Sequence, residues 1–219
     1  MLKAIIFDCD GVIAENEISR FIHLKNLAED RGYKGVEEKH LRLLIGKRST
    51  DFLQNVFGKK ISKKEREKIR KRRYREFQNF PEKFVKEAKG IKALCNKLSR
   101  KYTLAVASTN HKEVVKTTLN YLGLKKHFKF VATKNDVKKA KLHPEIYLKV
   151  LKKLKLKADE CLAIEDSATG IESAKKAGIS VVAKRNKLYE KYGHKEDLSK
   201  ADFVIDELKD VLKILNKLG

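Results

Sequence analysis

Hydrophobic residues occur in short blocks along this chain, and the first block covers residues 4–7, with the sequence AIIF. The block is continuous rather than alternating and has polar neighbours, which is typical of a strand buried on both faces of a parallel sheet. Asp8 and Asp10 follow it closely. We therefore predict that a first strand delivers two aspartates to the carboxyl end of a sheet, where open α/β sheets bind their ligands.

From Glu15 to Phe80 the hydrophobic residues recur at helical spacing, and no strand pattern interrupts them. The spacing predicts helices over about residues 18–27, 36–45, 49–58 and 62–77. The last of these helices is strongly basic, and we interpret its charges as a solvated helix face in preference to a nucleic-acid-binding patch. The whole region is predicted to be a helical insert after the first strand.

After Pro81, strand and helix patterns alternate. The predicted strands cover residues 102–108, 128–133, 161–164, 181–182 and 203–205, and the predicted helices cover 91–98, 111–122, 144–154, 168–177 and 207–218. Repeated βα units of this kind indicate a doubly wound, mostly parallel sheet. The predicted fold class is α/β, a Rossmann-like core with an inserted α-helical cap domain. The core is predicted over residues 1–14 and 81–219, and the cap over residues 15–80.

Length and composition set limits on the kind of protein. The 219 residues, 42% of them hydrophobic, suffice for one core and a small inserted domain. No apolar run has the length of a membrane span, and the N-terminus lacks the apolar region of a signal peptide, so we expect a cytoplasmic protein with no membrane partner. Cys9, Cys95 and Cys161 are widely spaced. We predict that they are reduced thiols, without a disulfide or a zinc site.

The net charge of +23 suits two kinds of anionic partner. A nucleic acid would bind through phosphate contacts, whereas a small anionic substrate would be steered in by the positive field. Abundant lysine is also found in heat-adapted proteins, although the chain has only 2 prolines. The sequence contains no helix-turn-helix spacing, zinc knuckle or RNA-binding aromatic motif, so a small anionic molecule is the preferred interpretation.

Asp8 and Asp10 are one residue apart, and Gly11 follows them. Asp and Gly are also common in surface turns, but the apolar strand directly before them favours a functional site. Two carboxylates repel each other unless a cation or a shared proton intervenes, and Mg²⁺ suits carboxylate and phosphate oxygens. The segment resembles the first motif of the haloacid dehalogenase-like superfamily, many of whose members form an aspartyl-phosphate.

The predicted strand over residues 102–108 ends in Ser108, and Thr109 and Asn110 follow. A hydroxyl and backbone amides at this place can donate hydrogen bonds to a phosphoryl oxygen without adding charge. A serine after a strand is more often only a helix cap. On the sheet that carries Asp8, the segment resembles the second motif of the superfamily. The resemblance implies that Ser108 is catalytic, and we predict that Thr109 and Asn110 bind substrate.

Lys141 precedes a predicted helix with Pro144 in its first turn. Two other lysines are close in sequence, so position alone does not select it. The segment resembles the superfamily pattern Lys-Pro-x-Pro-Asp-x-Phe, with matches at Pro144, Glu145 and Tyr147. Leu142 replaces the first proline of that pattern. The resemblance implies that Lys141 pairs with the nucleophile and the phosphate.

Glu165 and Asp166 follow the predicted buried strand over residues 161–164, and a helix then opens with small residues. The segment closely resembles the fourth motif of the superfamily, Glu-Asp-Ser-x-x-Gly-Ile. The resemblance implies that Asp166 helps to bind Mg²⁺ and that Glu165 is a second ligand or a partner of a ligand. All four motifs occur in the order of the superfamily, and the resemblance spans the whole chain.

The resemblance implies a two-step mechanism. Asp8 attacks the phosphorus and forms an aspartyl-phosphate. Asp10 protonates the leaving oxygen and later takes a proton from water. Mg²⁺ is expected to bind to Asp8, Asp166 and the backbone carbonyl of Asp10. Ser108 and Lys141 are expected to hold the phosphoryl oxygens. An acid at the position of Asp10 argues against the dehalogenases and phosphonate hydrolases of the superfamily.

The expected partner is a small phosphorylated metabolite, selected by the cap. We expect the cap to close over Asp8 and to exclude water from it. Gly46, Lys47 and Arg48 lie at a junction between predicted helices and are candidate substrate-binding residues. Solvated charges are an equal alternative for Lys47 and Arg48. We expect a monomer or a homodimer.

The predicted function is that of a Mg²⁺-dependent phosphatase acting on a small phosphate monoester. A phosphomutase of the β-phosphoglucomutase type is the alternative, because residues 7–13 resemble that enzyme as much as they resemble the phosphatases. The phosphatases more often have Thr at the position of Val12. A basic nucleic-acid-binding module is the non-enzymatic alternative.

Overall fold

The strands of the computed structural model, which describes residues 1–44 and 49–218, form one parallel sheet in the order β3-β2-β1-β4-β5-β6. The strands are β1 Ala4–Phe7, β2 Thr103–Ala107, β3 Phe128–Ala132, β4 Cys161–Glu165, β5 Ser180–Lys184 and β6 Phe203–Ile205. The central strands β1 and β4 are buried along their whole length, as their continuous apolar sequences predict. Two predicted strands, over 4–7 and 203–205, have the predicted bounds, and the others differ by one or two residues at an end.

The strand order reverses at β1, which pairs with β2 on one side and with β4 on the other. Phe7, the last residue of β1, is opposite Val106 of β2 and Ile164 of β4. The residues that follow these three strands therefore emerge at one edge of the sheet. A reversal of this kind leaves a crevice at the carboxyl ends of the strands, where doubly wound sheets bind ligands. The fold is α/β and Rossmann-like, as the sequence predicts.

Helices lie between the strands along the chain. Within the described residues the α-helices are α1 Glu17–Glu29, α2 Ser49–Phe57, α3 Lys63–Asn79, α4 Ile91–Leu98, α5 Lys112–Tyr121, α6 Glu145–Leu154, α7 Ala168–Lys176, α8 Lys187–Lys191 and α9 Val211–Leu218. Buried residues of α6 and α7, including Tyr147 and Ile171, pack on apolar residues of the strands. None of the helices in the described parts of the chain combines the length and the apolar character that a membrane span requires.

The chain divides into two compact units. The first consists of Met1–Glu15, Glu87–Asn186 and Glu196–Gly219, and the second of Asn16–Lys86 and Lys187–Lys195. The sequence analysis assigned residues 187–195 to the core. In the structure Tyr189 from this segment is buried in the apolar cluster of the second unit, so the segment belongs there. The second unit also extends past residue 80, because Phe84 stacks on the His23 ring at 4.1 Å.

The second unit is helical in the described residues. Its apolar cluster joins Phe21 and Leu24 of α1 to Phe52 and Leu53 of α2. A short 3-10 helix over Glu38–Leu43 stands where the sequence predicted a helix over 36–45. Three basic residues of α3 pair with acids of the same helix: Lys68 with Glu65, Arg70 with Glu67, and Arg72 with Glu76. Lys63, Lys64, Lys68, Lys71 and Arg75 of this helix are exposed, whereas Arg73 is buried.

Candidate active site

The carboxyl ends of four adjacent strands carry polar side chains. Ser108 follows β2, Asp8 follows β1, Glu165 ends β4 with Asp166 next to it, and Lys184 ends β5. All five residues are buried. Because the strands are parallel and in register, these side chains belong to one edge of the sheet, which the sequence predicted for all of them except Lys184.

Three of the carboxylates form a tight cluster. One oxygen each of Asp8, Glu165 and Asp166 lies within 4.8 Å of the others. Burial, followed by the charges of Glu165 and Asp10, raises the pKa of Asp8 to about 7, although Lys141 opposes the shift. Burial and the charges of Asp8 and Glu165 raise the pKa of Asp166 well above its usual value, although Lys184 and Lys141 oppose the shift. The cluster is therefore electrostatically unfavourable unless a positive charge joins it.

Lys141 supplies one positive charge. Its ammonium group donates a hydrogen bond to Oδ1 of Asp8 and another, of 2.6 Å, to Oε1 of Glu165. Burial alone would lower the pKa of Lys141, but the carboxylates of Asp8 and Glu165 outweigh it and raise that pKa. Lys141 therefore remains charged and fixes the orientation of the Asp8 carboxylate. The structure brings Lys141 to Asp8, as the motif predicted.

Glu165 is held by groups that the sequence analysis did not assign. Tyr147 on α6 donates a 2.5 Å hydrogen bond to Oε1 of Glu165, the same oxygen that accepts from Lys141. Burial, Glu165 and Asp8 raise the pKa of Tyr147 well above its usual value, so its hydroxyl stays a neutral donor. The Cβ of an alanine at Gly170 would overlap the Glu165 carboxylate. Glu165 is thus packed tightly and directed towards Lys141.

Asp10 contacts the loop after β2. The side-chain amide of Asn110 donates a hydrogen bond to Oδ2 of Asp10, and the backbone amide of Asn110 donates to Oγ of Ser108 at 3.2 Å. Thr109, between them, is exposed. The structure therefore brings Ser108 and Asn110 into the same edge as the two aspartates. What it shows for Asn110 is a contact with Asp10, a relationship that the sequence did not predict.

Gly11 lies directly against Asp166. Its φ is +79°, a backbone conformation that residues other than glycine rarely adopt. The Cβ of an alanine at this position would overlap the Asp166 carboxylate. The backbone amide of Gly11 donates to the Ala14 carbonyl at 2.8 Å, which closes the turn. A residue with a side chain would therefore not fit at position 11, where the turn after β1 meets the loop after β4.

The comparisons with known proteins agree with this geometry. The family model described as haloacid dehalogenase-like hydrolase matches residues 5–184. The chain belongs to the haloacid dehalogenase-like family. It is 32% identical over 179 residues to a phosphorylated carbohydrates phosphatase of Thermotoga maritima, covering 81% of this chain and 82% of that protein. It is 29% identical over 228 aligned positions to the pyrophosphatase PpaX of Bacillus mycoides, covering 100% of this chain and 99% of that one.

A solved structure shows the same likeness. The crystal structure of β-phosphoglucomutase from Clostridium difficile has a TM-score of 0.77 and 25% identity, and the match covers 100% of this chain and 99% of that chain. Because the sequence relatives are phosphatases and the family is one of hydrolases, the chain is a haloacid dehalogenase-like phosphatase.

Leu142 departs from the motif of the haloacid dehalogenase-like family in a way that the structure explains. Its φ is +84°, whereas proline is restricted to about −65°. Its backbone amide donates a hydrogen bond to the Thr169 carbonyl at 3.2 Å, and proline has no amide hydrogen. The backbone conformation and the hydrogen bond at Leu142 are therefore both incompatible with a proline at this position.

The acid cluster suits a divalent metal. Among the described residues none donates a hydrogen bond to the buried Asp166 carboxylate, so its oxygens are available to a ligand. Hard divalent cations prefer carboxylate oxygens, and the family generally uses such an ion. Lys141 donates to both Asp8 and Glu165, and Tyr147 donates to Glu165 as well, so Glu165 has the most protein donors of the three carboxylates.

Two other predictions concern residues outside the acid cluster. Gly46, Lys47 and Arg48, the candidate substrate-binding residues of the cap, lie outside the described residues. The cysteines at positions 9, 95 and 161 are free thiols, and all three are buried. Burial raises the pKa of Cys95 to about 12, so this thiol stays neutral at physiological pH.

Proposed function

We propose that this phosphatase hydrolyses a small phosphate monoester through an aspartyl-phosphate on Asp8, with Mg²⁺ at the acid cluster. The observation that supports this most is the position of Asp8. Its carboxylate follows the central strand, is oriented by the ammonium group of Lys141, and lies in a cluster with Asp166. A buried carboxylate fixed in this way is suited to attack a phosphorus atom, because little reorientation is needed.

In the first step an oxygen of Asp8 forms a bond to phosphorus, and the bond between phosphorus and the ester oxygen breaks. Asp10 gives its proton to the departing oxygen, which leaves as an alcohol. Asn110 holds the Asp10 carboxyl group by a hydrogen bond, so the acid has a defined position. The hydroxyl of Ser108 and the ammonium of Lys141 bind the phosphoryl oxygens, where charge is spread in the transition state.

In the second step a water molecule attacks the phosphorus of the aspartyl-phosphate. Asp10, now a carboxylate, accepts a proton from that water, and the bond between phosphorus and the Asp8 oxygen breaks. Inorganic phosphate leaves, and both aspartates return to their starting states. One residue thus serves first as acid and then as base, and the two half-reactions use the same site.

The carboxylates of Asp8 and Asp166, with the backbone carbonyl of Asp10, would hold Mg²⁺, and the bound ion would screen the nucleophile from the charge of the phosphate. We assign Glu165 a different task within the proposal. Its contacts with Tyr147 and Lys141 orient the lysine ammonium group towards Asp8. Glu165 therefore contributes through Lys141 rather than as a metal ligand.

The substrate class is inferred from the chemistry and from the relatives. The Thermotoga maritima relative acts on phosphorylated carbohydrates by its name, so sugar phosphates are the first candidates. A phosphomutase is the second candidate function, because a β-phosphoglucomutase shares the fold over the whole chain at 25% identity. A mutase would pass the phosphoryl group from Asp8 to a second sugar hydroxyl instead of to water.

A panel of phosphate esters tests the proposal. Sugar phosphates, phosphoglycolate and pyrophosphate are incubated with the protein in Mg²⁺ and in excess chelator, and released phosphate is measured. We expect release from at least one monoester, its loss in chelator and its return with Mg²⁺. Undiminished release in chelator would contradict the metal assignment. With β-glucose 1-phosphate and a trace of the 1,6-bisphosphate, isomerisation without free phosphate would indicate the mutase instead.

A further inference from the structure

Lys184 is a buried lysine that none of the four sequence motifs contains. It is the last residue of β5 and is only 7% exposed. Burying an ammonium group is costly unless hydrogen bonds and opposite charges compensate for it. Its surroundings must therefore contain the groups that compensate, and those groups indicate its role.

Lys184 forms a hydrogen bond and an ion pair with the segment that follows β1, and its charge also acts on the Asp166 carboxylate. Its ammonium group donates a 3.0 Å hydrogen bond to the backbone carbonyl of Gly11 and lies 3.5 Å from Oε1 of Glu15. The turn is closed internally, since Ile13 and Ala14 both donate their backbone amides to the Cys9 carbonyl. Lys184 thus links the end of β5 to the hydrogen-bonded turn at Gly11 and to Glu15, which follows the turn.

The turn that Lys184 contacts also contains Asp10. Asp10 directly precedes Gly11, the residue whose carbonyl Lys184 binds, and Gly11 in turn packs against the Asp166 carboxylate. A shift of the Gly11 peptide would therefore move Asp10 and would change its distance from a bound ester oxygen. Misplacing a reacting group by about 1 Å can lower a rate by about 10²-fold.

We propose that Lys184 is a positioning residue for Asp10: by holding the Gly11 carbonyl and Glu15, it places the Asp10 carboxyl group for proton transfer to the leaving oxygen. The inference rests on the proposed function, in which Asp10 is the general acid. It assigns no contact between Lys184 and the substrate. Its effect is on the geometry of the turn.

Two substrates with different leaving groups distinguish this positioning role from a general effect of Lys184 on the structure. An alkyl phosphate needs a proton on its departing oxygen, whereas p-nitrophenyl phosphate has a leaving group that departs without one. The quantity to compare is kcat/KM, because it reports on the steps up to formation of the aspartyl-phosphate and is insensitive to its later hydrolysis. The variant Lys184→Met keeps the length of the side chain but removes the ammonium group.

We expect Lys184→Met to lower kcat/KM for the best alkyl monoester of the panel about 10- to 100-fold. For p-nitrophenyl phosphate we expect a loss of less than about threefold, since acid catalysis contributes little there. Lys184→Arg, which keeps the charge and the donors, should recover most of the loss. Equal losses for both esters, or no loss for either, would overturn the proposal.

Two controls accompany the comparison. Lys175→Met removes an exposed lysine that pairs with Asp202, and it should leave both esters unaffected. Asp10→Asn should show the same leaving-group dependence as Lys184→Met, but a larger one. If Asp10→Asn has no such dependence, the proposed function fails; if Asp10→Asn has it and Lys184→Met does not, only the inference about Lys184 fails.

A second variant covers the case in which Lys184→Met does not fold. Glu15→Gln removes the carboxylate next to the ammonium group and leaves the bond to the Gly11 carbonyl in place. We expect a smaller loss with the same dependence on the leaving group. An equal loss for both esters in Glu15→Gln would count against the proposal.

Discussion

Tyr147 donates a 2.5 Å hydrogen bond to Oε1 of Glu165, and both side chains are fully buried. The same oxygen accepts from Lys141 at 2.6 Å. Two donors on one oxygen fix the carboxylate and direct it to the lysine that binds Asp8. Adjacent acids at the end of β4 therefore have different surroundings: Glu165 is occupied by protein donors, and Asp166 has none among the described residues.

This difference predicts that two substitutions have different effects on Mg²⁺ binding and on kcat. Asp166→Asn should weaken Mg²⁺ binding by about tenfold or more, since partners of a metal ligand alone are worth 10- to 100-fold. Tyr147→Phe should leave Mg²⁺ binding within about threefold while lowering kcat by about tenfold, because Lys141 loses its orientation. Calorimetric titration with Mg²⁺ and steady-state kinetics measure the two effects. If Tyr147→Phe weakened Mg²⁺ binding as much as Asp166→Asn, Glu165 would be a ligand after all.

Gly11→Ala should lower the free energy of unfolding by more than the strain of its backbone angle explains. The added methyl group would overlap the Asp166 carboxylate, and φ is +79°. Gly90→Ala is a matched control, because Gly90 has a φ of +85° and no atom within 4 Å of an added Cβ. The control should cost about 1–2 kcal/mol in free energy of unfolding, and Gly11→Ala at least 1 kcal/mol more. Chemical denaturation measures both. Equal costs would show that the contact with Asp166 is loose.

Leu142→Pro, which restores the proline of the family pattern, should be harmful. Proline cannot adopt the φ of +84° found at this position, and it removes the hydrogen bond to the Thr169 carbonyl. We expect a loss of about 3 kcal/mol in the free energy of unfolding and a lower kcat through Lys141. Leu142→Gly should be at least as stable as the parent protein, because glycine adopts this angle without strain. A stable, fully active Leu142→Pro would show that the loop follows the family path.

Acid should weaken the protein through His23. This histidine donates to Oε2 of Glu76 at 2.6 Å and stacks on Phe84. Burial is the largest influence and lowers the pKa of His23 despite Glu76. The unfolded chain therefore binds the proton more readily, so this contribution to stability is present above the unfolded pKa of about 6.5 and is lost as pH falls below it.

The measurement for His23 is urea denaturation at pH 7.5 and 5.5. We expect the parent protein to lose up to about 1.4 kcal/mol over this interval because of His23. His23→Gln, which keeps a donor for Glu76 but does not titrate, should lose less. The pKa of Glu76 is lowered as well, since hydrogen bonds from Arg72 and His23 outweigh its burial, but that contribution is lost only below pH 4.5. An equal loss in both proteins would exclude His23 as the source.

The sequence predicted the sheet and most of the site because both depend on local patterns. A continuous apolar run before Asp8 and another before Glu165 indicate buried strands, and parallel pairing places their ends together. Lys184 was missed because a single lysine in a chain with 52 lysines and arginines carries no signal until β5 is placed beside β4. The short 3-10 helix over Glu38–Leu43 was predicted as an α-helix, since apolar spacing alone does not separate the two over so few residues.

The central claim is that Asp8 carries the phosphoryl group, and the site of covalent labelling tests it most directly. Asp10→Asn, which should form the aspartyl-phosphate from an activated ester but hydrolyse it about 10²- to 10⁴-fold more slowly, is mixed with that ester and Mg²⁺, quenched and analysed by peptide mass spectrometry. We predict a phosphoryl group on Asp8, and none in the double variant that also carries Asp8→Asn. Labelling of any other residue, or turnover by Asp8→Asn alone, would contradict the account.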